Sequence, residues 1–444
     1  MECWIRIHNC ENWISNYKRI VDAWEDGGIR GIALGHLNFT HADGSGIRTY
    51  SPDPKIYESY GVSPPPEGPY DSEKEKILHD ILDDVASRGW QIMLFEDAVS
   101  AGGNLPLDED PYGEMGFAAT MQDLMNAYPQ ANGIVLDGVG EQRYELASRR
   151  RGDLFVIDEE ERQHYSNLGF DVDRMDRGIA HLRQRFHNLS PDLVRYHAPG
   201  GMLAGMSLFD INEDALYWMR SRQEIMMSSF ASLRKAIDSL NRKVEMATLP
   251  RTAAFSSLTG QNLQQMASYF DYIIPKHYFW NRGFDGMYGT IQRWVQTLLQ
   301  WNPSLSEEDG LSVTKSLFGL ELPGVQSLLD LEMGFPEEFF SKVVYNETRR
   351  VLEAIQDDNK VLCWVSTGLS PHGGDPMPAR DLHGILQASK DAGLKRFIFH
   401  PEQPDLGVPE WQVISRMCGN PWKEEPGSYW PAGTSKEDSL FETP

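Results

Sequence analysis

Gly133-Ile-Val-Leu-Asp137 is a short apolar run that ends in a carboxylate, and Gly138 follows it directly. The same pattern recurs between about Gly31 and Gln403: a short apolar segment ends in polar residues, and a longer amphipathic stretch follows. Short apolar runs between helical stretches are typical of parallel strands in an α/β protein. The recurrence predicts eight strands, at Gly31–His36, Gln91–Glu96, Gly133–Asp137, Lys243–Leu249, Tyr272–Tyr278, Ser316–Glu321, Val361–Thr367 and Arg396–His400.

Eight strands, each followed by a helix, predict a (β/α)8 barrel. The chain of 444 residues is long enough for such a barrel with insertions. Barrels of this kind place their chemistry where the strands end, at the C-terminal face. We therefore expect an α/β fold over residues 31–420, a TIM barrel with long loops and an insertion on that face.

The helix after the long loop 38–69 has the clearest signals. Ser72 and Glu75 have the spacing of a capping box, an apolar stripe ends at Val85, and Gly89 stops the helix. Further helices are predicted at Phe117–Ala127, Asp214–Leu240, Gln261–Phe270, Gly289–Gln300, Glu337–Gln356 and Pro378–Ala392.

Three segments are predicted to lie outside the regular barrel. Residues 1–30 contain a strand-like start, Trp4–His8, which would make a ninth strand; we expect a segment that closes the bottom of the barrel. About a hundred residues separate the third and fourth strands, so residues 141–212 are predicted to be an insertion. Residues 421–444 are polar and rich in Pro and Ser, as in a tail.

The composition excludes several classes of function. The net charge of −24 argues against nucleic acid as a partner, because phosphate binding needs clustered Lys and Arg. No run of about 18 apolar residues is present, so no membrane span is predicted. The N-terminus lacks the features of a secretory signal, and the four cysteines show no CxxC spacing. A cytoplasmic location is expected, or secretion if a leader has been removed.

Two carboxylates end predicted strands. Asp137 ends the third strand and Glu321 ends the sixth. A carboxylate after a buried apolar run is costly unless it is paired or used. Glycoside hydrolysis needs two facing carboxylates, one that donates a proton and one that attacks the sugar or activates water. Asp137 and Glu321 are the predicted catalytic pair.

The fifth predicted strand has an unusual end. After an apolar start it continues with cationic and aromatic residues, which suit a sugar ring with apolar faces and hydroxyl groups, or a sugar that carries a carboxylate. The candidate ligand contacts here are Lys276, His277, Tyr278, Trp280 and Arg282. Other predicted strand ends, and the loop after the third strand, supply His36, Glu96, Asp97, Glu141, Arg251, Trp364, His400 and Glu402.

Several cofactor motifs are missing from the sequence. It contains neither a GxGxxG after a strand nor GxxxxGK[ST], and neither HExxH nor the HxH pair of metal-dependent hydrolase barrels. We therefore expect no nucleotide cofactor and no resident metal.

The chain resembles the glycoside hydrolase-like TIM barrels of bacterial carbohydrate-degrading systems over most of residues 25–405. The resemblance rests mainly on Gly133–Gly138 and Tyr272–Tyr278, and also on Gly28–Ala33, the Tyr60–Pro65 loop and Ala86–Trp90. It implies carboxylates at two strand ends and a carbohydrate substrate.

The sequence thus favours a glycoside hydrolase that cleaves an oligosaccharide or glycoconjugate. Two alternatives remain open. A metal-dependent sugar isomerase or epimerase would draw its ligands from Glu245, Asp137, His277 and Glu321. A non-catalytic carbohydrate-binding barrel would bind its ligand without needing the carboxylates.

Overall fold

The structure is a computed structural model. It describes residues 1–7, 10, 17–35, 37–40, 46–66, 68–97, 111–138, 143–146, 153–283, 286–366, 368, 373–375, 377–400 and 408–423. The strand segments are β1 Glu2–Ile7, β2 Ile29–Leu34, β3 Asn38–Thr40, β4 Gly46–Arg48, β5 Gln91–Asp97, β6 Gly133–Asp137, β7 Glu245–Thr248, β8 Tyr272–Ile273, β9 Lys276–His277, β10 Cys363–Ser366 and β11 Arg396–His400.

The main sheet is parallel and closes on itself. Its segments are neighbours in the order β8-β7-β6-β5-β2-β1-β11-β10-β9, and the two end segments, β8 and β9, belong to one stretch of chain, 272–277. On one side of this stretch the N–H groups of Ile274 and Lys276 donate to Thr248 and Pro250 at 2.8 and 3.0 Å. On its other side the carbonyls of Ile273 and Pro275 accept hydrogen bonds from the N–H groups of Leu362 and Trp364. The nine segments therefore form eight barrel strands in the described part of the chain, which confirms the predicted (β/α)8 barrel.

The first barrel strand is β1, which the sequence analysis had placed in a closing segment. β1 lies in the wall of the barrel, hydrogen-bonded to β2 on one side and to β11 on the other. The prediction of a closing segment was wrong because it treated the strand count as complete without β1.

The predicted strand Ser316–Glu321 is also wrong. Residues up to Phe318 form the end of a helix, Glu307–Phe318, and Gly319 is its left-handed C-cap, with φ 62°. Glu321 follows in a non-helical segment outside the sheet. Its side chain is 61% exposed, and its carboxylate lies 3.9 Å from the ammonium group of Lys342.

The predicted helices are confirmed, although Gln261–Phe270 is shorter than expected. The helix after the long loop begins after Asp71, whose side chain caps the N–H groups of Glu73 and Lys74, so the predicted capping box at Ser72 was wrong.

The described helices are α1 Tyr17–Asp26, α2 Pro54–Ser59, α3 Ser72–Ser87, α4 Pro111–Ala127, α5 Glu159–Asn167, α6 Val172–Phe186, α7 Pro191–His197, α8 Gly201–Phe209, α9 Glu213–Asp238, α10 Ala253–Ser256, α11 Leu263–Met266, α12 Met287–Trp301, α13 Glu307–Phe318, α14 Glu337–Phe339, α15 Tyr345–Ile355, α16 Ala379–Asp391 and α17 Val408–Cys418. A π-helical turn, Phe340–Val344, joins α14 to α15, and 3-10 turns lie at Ala198–Gly200, Asp330–Glu332 and Asp358–Lys360. None of the helices described has the length and apolar character needed to cross a bilayer.

Side chains from opposite strands meet inside the barrel and fill it. The rings of Trp4 on β1 and Tyr272 on β8 lie 5.2 Å apart near the starts of the strands. Nearer the strand ends, Phe95 on β5 lies 5.6 Å from Trp364 on β10, although several strands separate them in the wall. The barrel is therefore a packed core, and any ligand site must lie above this filling, at the strand ends.

The two long connections that leave the strand ends after β6 and β9 pack against each other. Asn302, after α12, accepts a hydrogen bond from the Leu189 N–H at 2.9 Å and donates to the Phe186 carbonyl at 2.8 Å. Arg195 on α7 pairs with the buried Asp309 on α13. The stretch predicted as an insertion, 141–212, holds the helices α5 to α8 of this assembly.

Because β1 is a barrel strand, a charge on its buried face is expected to unfold the protein. Ile5 is almost fully buried, so Ile5→Asp should cost at least several kcal/mol or prevent folding. Leu203→Asp makes the same chemical change at a side chain that is 75% exposed, and should change the unfolding free energy by no more than about 0.5 kcal/mol. Thermal unfolding followed by circular dichroism compares the two variants. Equal melting temperatures would contradict the assignment of β1 to the barrel wall.

Candidate functional site

Asp137 ends β6 and lies at the mouth of the barrel. The four residues before it are buried, and its own side chain is 35% exposed. Its Oδ1 accepts a hydrogen bond from the N–H of Gly138 at 2.8 Å, and Gly138 has φ 73°, in the left-handed region that suits glycine. The strand and this local bond hold the carboxylate at the barrel mouth, as predicted.

Lys276 lies one residue before the end of the strand that closes the barrel, and its side chain reaches Asp137 across β7. Its Nζ lies 3.3 Å from Asp137 Oδ1, and its side chain is only 6% exposed. Burying an ammonium group is costly unless an anion is close by. The structure therefore brings together the carboxylate and the cation that the sequence analysis proposed for the site, as an ion pair.

A cluster of aromatic and cationic side chains lies beside this pair inside the barrel. The guanidinium carbon of Arg6 stands 3.7 Å above the Phe95 ring, and Trp364 contacts both Phe95 and His400. The indole Nε1 of Trp364 is buried without a hydrogen-bond partner in the part of the chain that is described. Trp364 thus belongs to the filling of the barrel and contacts His400, the last residue of β11; their contact with a ligand stays a prediction.

Arg6 was missed by the sequence analysis. It is buried in β1 and donates hydrogen bonds to the carbonyls of Ile7 and Gly35. The signal was present, because Arg6 alternates with the apolar residues Ile5 and Ile7. With β1 assigned to a closing segment, Arg6 was not predicted to face the barrel interior.

The loop after β6 forms one wall beside the mouth. Arg251 follows the end of β7 and is buried. Its guanidinium carbon lies over the ring of Tyr144, 5.0 Å from the ring centroid. The neighbouring Glu145 accepts two hydrogen bonds from Arg293 on α12, from Nε and from Nη2, each at 2.6 Å. Arg251 therefore lies near the strand ends, as predicted, and is packed against this wall.

His277 points away from the mouth, so its assignment as a ligand contact was wrong. Successive side chains of a strand alternate between the two faces of the sheet, and Lys276 occupies the inner face. His277 is buried against α15, where its Nε2 lies 2.9 Å from the hydroxyl of Thr348. Burial lowers the pKa of His277 to about 3, so the ring is neutral.

Tyr278 and Trp280 are buried packing residues beneath the loops. Their rings lie 4.4 Å apart, and both side chains are almost fully buried. Trp280 fills the space over two glycines: a Cβ added at Gly374 would lie 2.1 Å from its ring, and one at Gly368 would lie 2.9 Å away. This burial contradicts their predicted role as sugar contacts.

Arg282 is a surface residue. Its guanidinium group pairs with Glu332 at 3.1 Å and lies 3.6 Å from Asp375, and its side chain is largely exposed. These carboxylates raise the pKa of Arg282. The structure thus separates Arg282 from the ion pair at the mouth, as it does Glu321.

Five predicted site residues lie wholly or partly outside what the structure describes: His36, Glu141 and Glu402 entirely, and Glu96 and Asp97 in their side chains. The backbone of β5 is described up to its last residue. Its register places Asp97 directly beside Asp137, and Glu96 beside Leu136. The end of β5 therefore brings carboxylate-bearing positions next to Asp137.

The residues of the metal-dependent alternative are dispersed. Glu245 begins β7, at the opposite end of the barrel from Asp137, where it accepts a hydrogen bond from Gln91 and burial raises its pKa. His277 faces the helices and Glu321 faces Lys342. Within the residues that are described, no group of three His, Cys, Asp or Glu side chains could hold a metal ion.

Comparisons with known proteins give likenesses of overall architecture. No family model and no curated protein sequence matches the chain. The PgaB (BpsB) glycoside hydrolase domain from Bordetella bronchiseptica is similar with a TM-score of 0.46 and 10% identity, over 95% of this chain and 99% of that one. A chitinase from Bacteroides thetaiotaomicron has a TM-score of 0.41 and 8% identity, over 96% of this chain and 98% of its own. The spore cortex-lytic enzyme SleL from Bacillus cereus has a TM-score of 0.41 and 8% identity, over 93% of this chain and 73% of its own.

Each of these likenesses has a TM-score below 0.5. At identities of 10% or less, we carry neither residues nor activities over from them to this chain.

The buried His277 is expected to make stability depend on pH. Below about pH 6.5 the unfolded chain binds a proton at this residue, whereas the folded chain does so only near pH 3. Its contribution is therefore complete above pH 6.5 and is lost as the pH falls towards 3, with a slope of up to about 1.4 kcal/mol per pH unit. The free energy of unfolding of His277→Gln should fall less steeply over this range.

The measurement is urea unfolding at a series of pH values, with His383→Gln on the exposed face of α16 as the control. Parallel curves for the wild type and His277→Gln would show that His277 does not titrate as the burial requires.

Proposed function

We propose that the protein is a glycoside hydrolase that acts on an oligosaccharide or glycoconjugate at the C-terminal mouth of its barrel. The observation that carries this proposal is the ion pair of Asp137 with the buried Lys276, set above the packed interior. Glycoside hydrolysis needs two carboxyl groups beside the scissile bond, and a carboxylate held at a strand end would supply one of them.

The aromatic cluster supports a sugar as the substrate. Trp364 and His400 lie beside each other, with ring centroids 5.3 Å apart, and Phe95 packs behind Trp364. Sugar rings offer apolar C–H faces to aromatic rings and hydroxyl groups to polar side chains. In this proposal His400, the last residue of β11, would supply a polar group for such hydroxyl groups.

The second carboxylate in this proposal comes from the end of β5. Glu321, its predicted source, faces Lys342 on the surface. Asp97 is paired in backbone register with Asp137, so in this proposal the neighbouring strand β5 supplies the second carboxylate. Glu96 is the neighbouring candidate, and Glu141 and Glu402 follow the ends of β6 and β11 along the chain.

Asp137→Asn should lower kcat by about a thousandfold or more, because it replaces the carboxylate with a neutral group of nearly the same shape. Asp97→Asn is expected to have a comparable effect. Glu321→Gln makes the same kind of change on the surface and should leave kcat and KM unchanged. The assay is sugar release from a panel of aryl glycosides and natural oligosaccharides, each tested with and without a chelator.

Full activity of Asp137→Asn would remove this residue from the mechanism. Isomerisation of a free sugar, abolished by the chelator, would favour the metal-dependent alternative instead. Sugar binding without any release, retained in the variants Asp137→Asn and Asp97→Asn, would favour a non-catalytic barrel.

A further inference from the structure

Both partners of the Asp137–Lys276 pair have rigid backbones. The backbone N–H of Lys276 donates a hydrogen bond to the carbonyl of Pro250 at 3.0 Å. On the other side, the carbonyl of Pro275 accepts a hydrogen bond from the N–H of Trp364 at 2.9 Å. Asp137 is the last residue of a strand paired with β5. The ammonium and carboxylate groups therefore meet at a distance set by the barrel wall.

We propose that Lys276 is a positioning residue that keeps Asp137 ionised and correctly oriented, so that Asp137 attacks the sugar or activates water and another carboxylate donates the proton. This inference rests on the proposed function and deepens it by dividing the two chemical roles. Lys276 was predicted from the sequence as a substrate contact, but the structure gives its ammonium group a protein partner.

The physical basis is the difference between the two protonation states of Asp137. A cation about 3 Å away stabilises a carboxylate and gives much less to a neutral carboxylic acid. The effect is stronger here than at a surface, because the lysine is buried and water screens the pair less. A proton donor in glycoside hydrolysis must be protonated when the substrate binds, and Asp137 is in the wrong surroundings for that role.

Other charged groups near the mouth could also act on Asp137. On the β5 side, the register places Asp97 beside Asp137, and a negative charge there would oppose ionisation. On the β7 side, the adjacent Thr248 and Leu249 carry no charge, and Arg251 lies two residues further on. Arg6 and His400 come from β1 and β11. Lys276 contacts the carboxylate directly, at 3.3 Å.

Lys276→Met keeps the length and apolar stem of the side chain and removes the charge. It should lower kcat by at least about tenfold and move the acidic limb of the kcat/KM profile upward by roughly one pH unit, because Asp137 then ionises less readily. Lys276→Arg retains a cation and should keep the acidic limb close to that of the wild type. A lysine that only binds substrate would change KM and leave the acidic limb where it is.

A double-mutant cycle tests the pair without any need for activity. Lys276→Met alone leaves a carboxylate without its cation, so its melting temperature should fall more than that of the double variant with Asp137→Asn. The surface pair Arg282 and Glu332 provides the matched control, at 3.1 Å but exposed. The cycle with Arg282→Met and Glu332→Gln should be nearly additive.

The outcomes separate the two proposals. Additive melting shifts for Lys276 and Asp137, or an unchanged acidic limb with full kcat in Lys276→Met, would overturn the role of Lys276 and leave the hydrolase proposal standing. A wild-type protein that releases no sugar from any substrate would overturn the hydrolase proposal, while the cycle would still report the coupling. Non-additive shifts, a lowered kcat and a raised acidic limb together are the result we expect.

Discussion

The closure of the barrel through residues 272–277 is the constraint on which the rest of the structure depends. Pro275 has no N–H, so one bond of the ladder with β10 is missing, and the strand is divided into β8 and β9. The chain keeps the remaining bonds on both sides: Ile274 and Lys276 donate towards β7, and Ile273 and Pro275 accept from the β10 side. With both sides bonded, residues 274 and 276 take the inner face. This places Lys276 at the mouth and His277 among the helices.

Seven of the eight barrel strands were predicted from the sequence, and the eighth predicted strand, Ser316–Glu321, was wrong. Short apolar runs do not distinguish a buried strand from the end of a helix. Ser316–Glu321 was such a run, and its glycine, taken as part of a strand, is the left-handed cap of α13. The strand that this run displaced from the count of eight, β1, carries a buried arginine. Arg6 is tolerated there because backbone carbonyls accept its hydrogen bonds and the face of Phe95 covers its charge.

The candidate site was predicted in part, and strand alternation explains both what was right and what was wrong. Asp137 and His400 end their strands, Lys276 and Trp364 lie one and two residues before the ends of theirs, and all four contact other residues of the barrel interior. His277 follows Lys276 by one residue and so faces outward. Tyr278 and Trp280 follow in the same stretch of chain, but the loops after β9 and β10 cover them. Alternation was readable in the sequence, whereas the covering of Trp280 by distant glycines was not.

The position of the ion pair above a packed barrel interior explains why its charges matter. Trp4 and Tyr272 pack near the strand starts, and Phe95 and Trp364 meet nearer the strand ends. Packed side chains screen the field of Lys276 on Asp137 less than water would. The chain carries a net charge of −24, yet the cations Arg6, Lys276 and Arg251 are buried in or beside the barrel mouth. Buried cations need anions or carbonyl groups around them, and this requirement draws a carboxylate such as Asp137 to the same place. The arrangement favours an ionised carboxylate at the mouth, which is the state that nucleophilic attack or base catalysis needs.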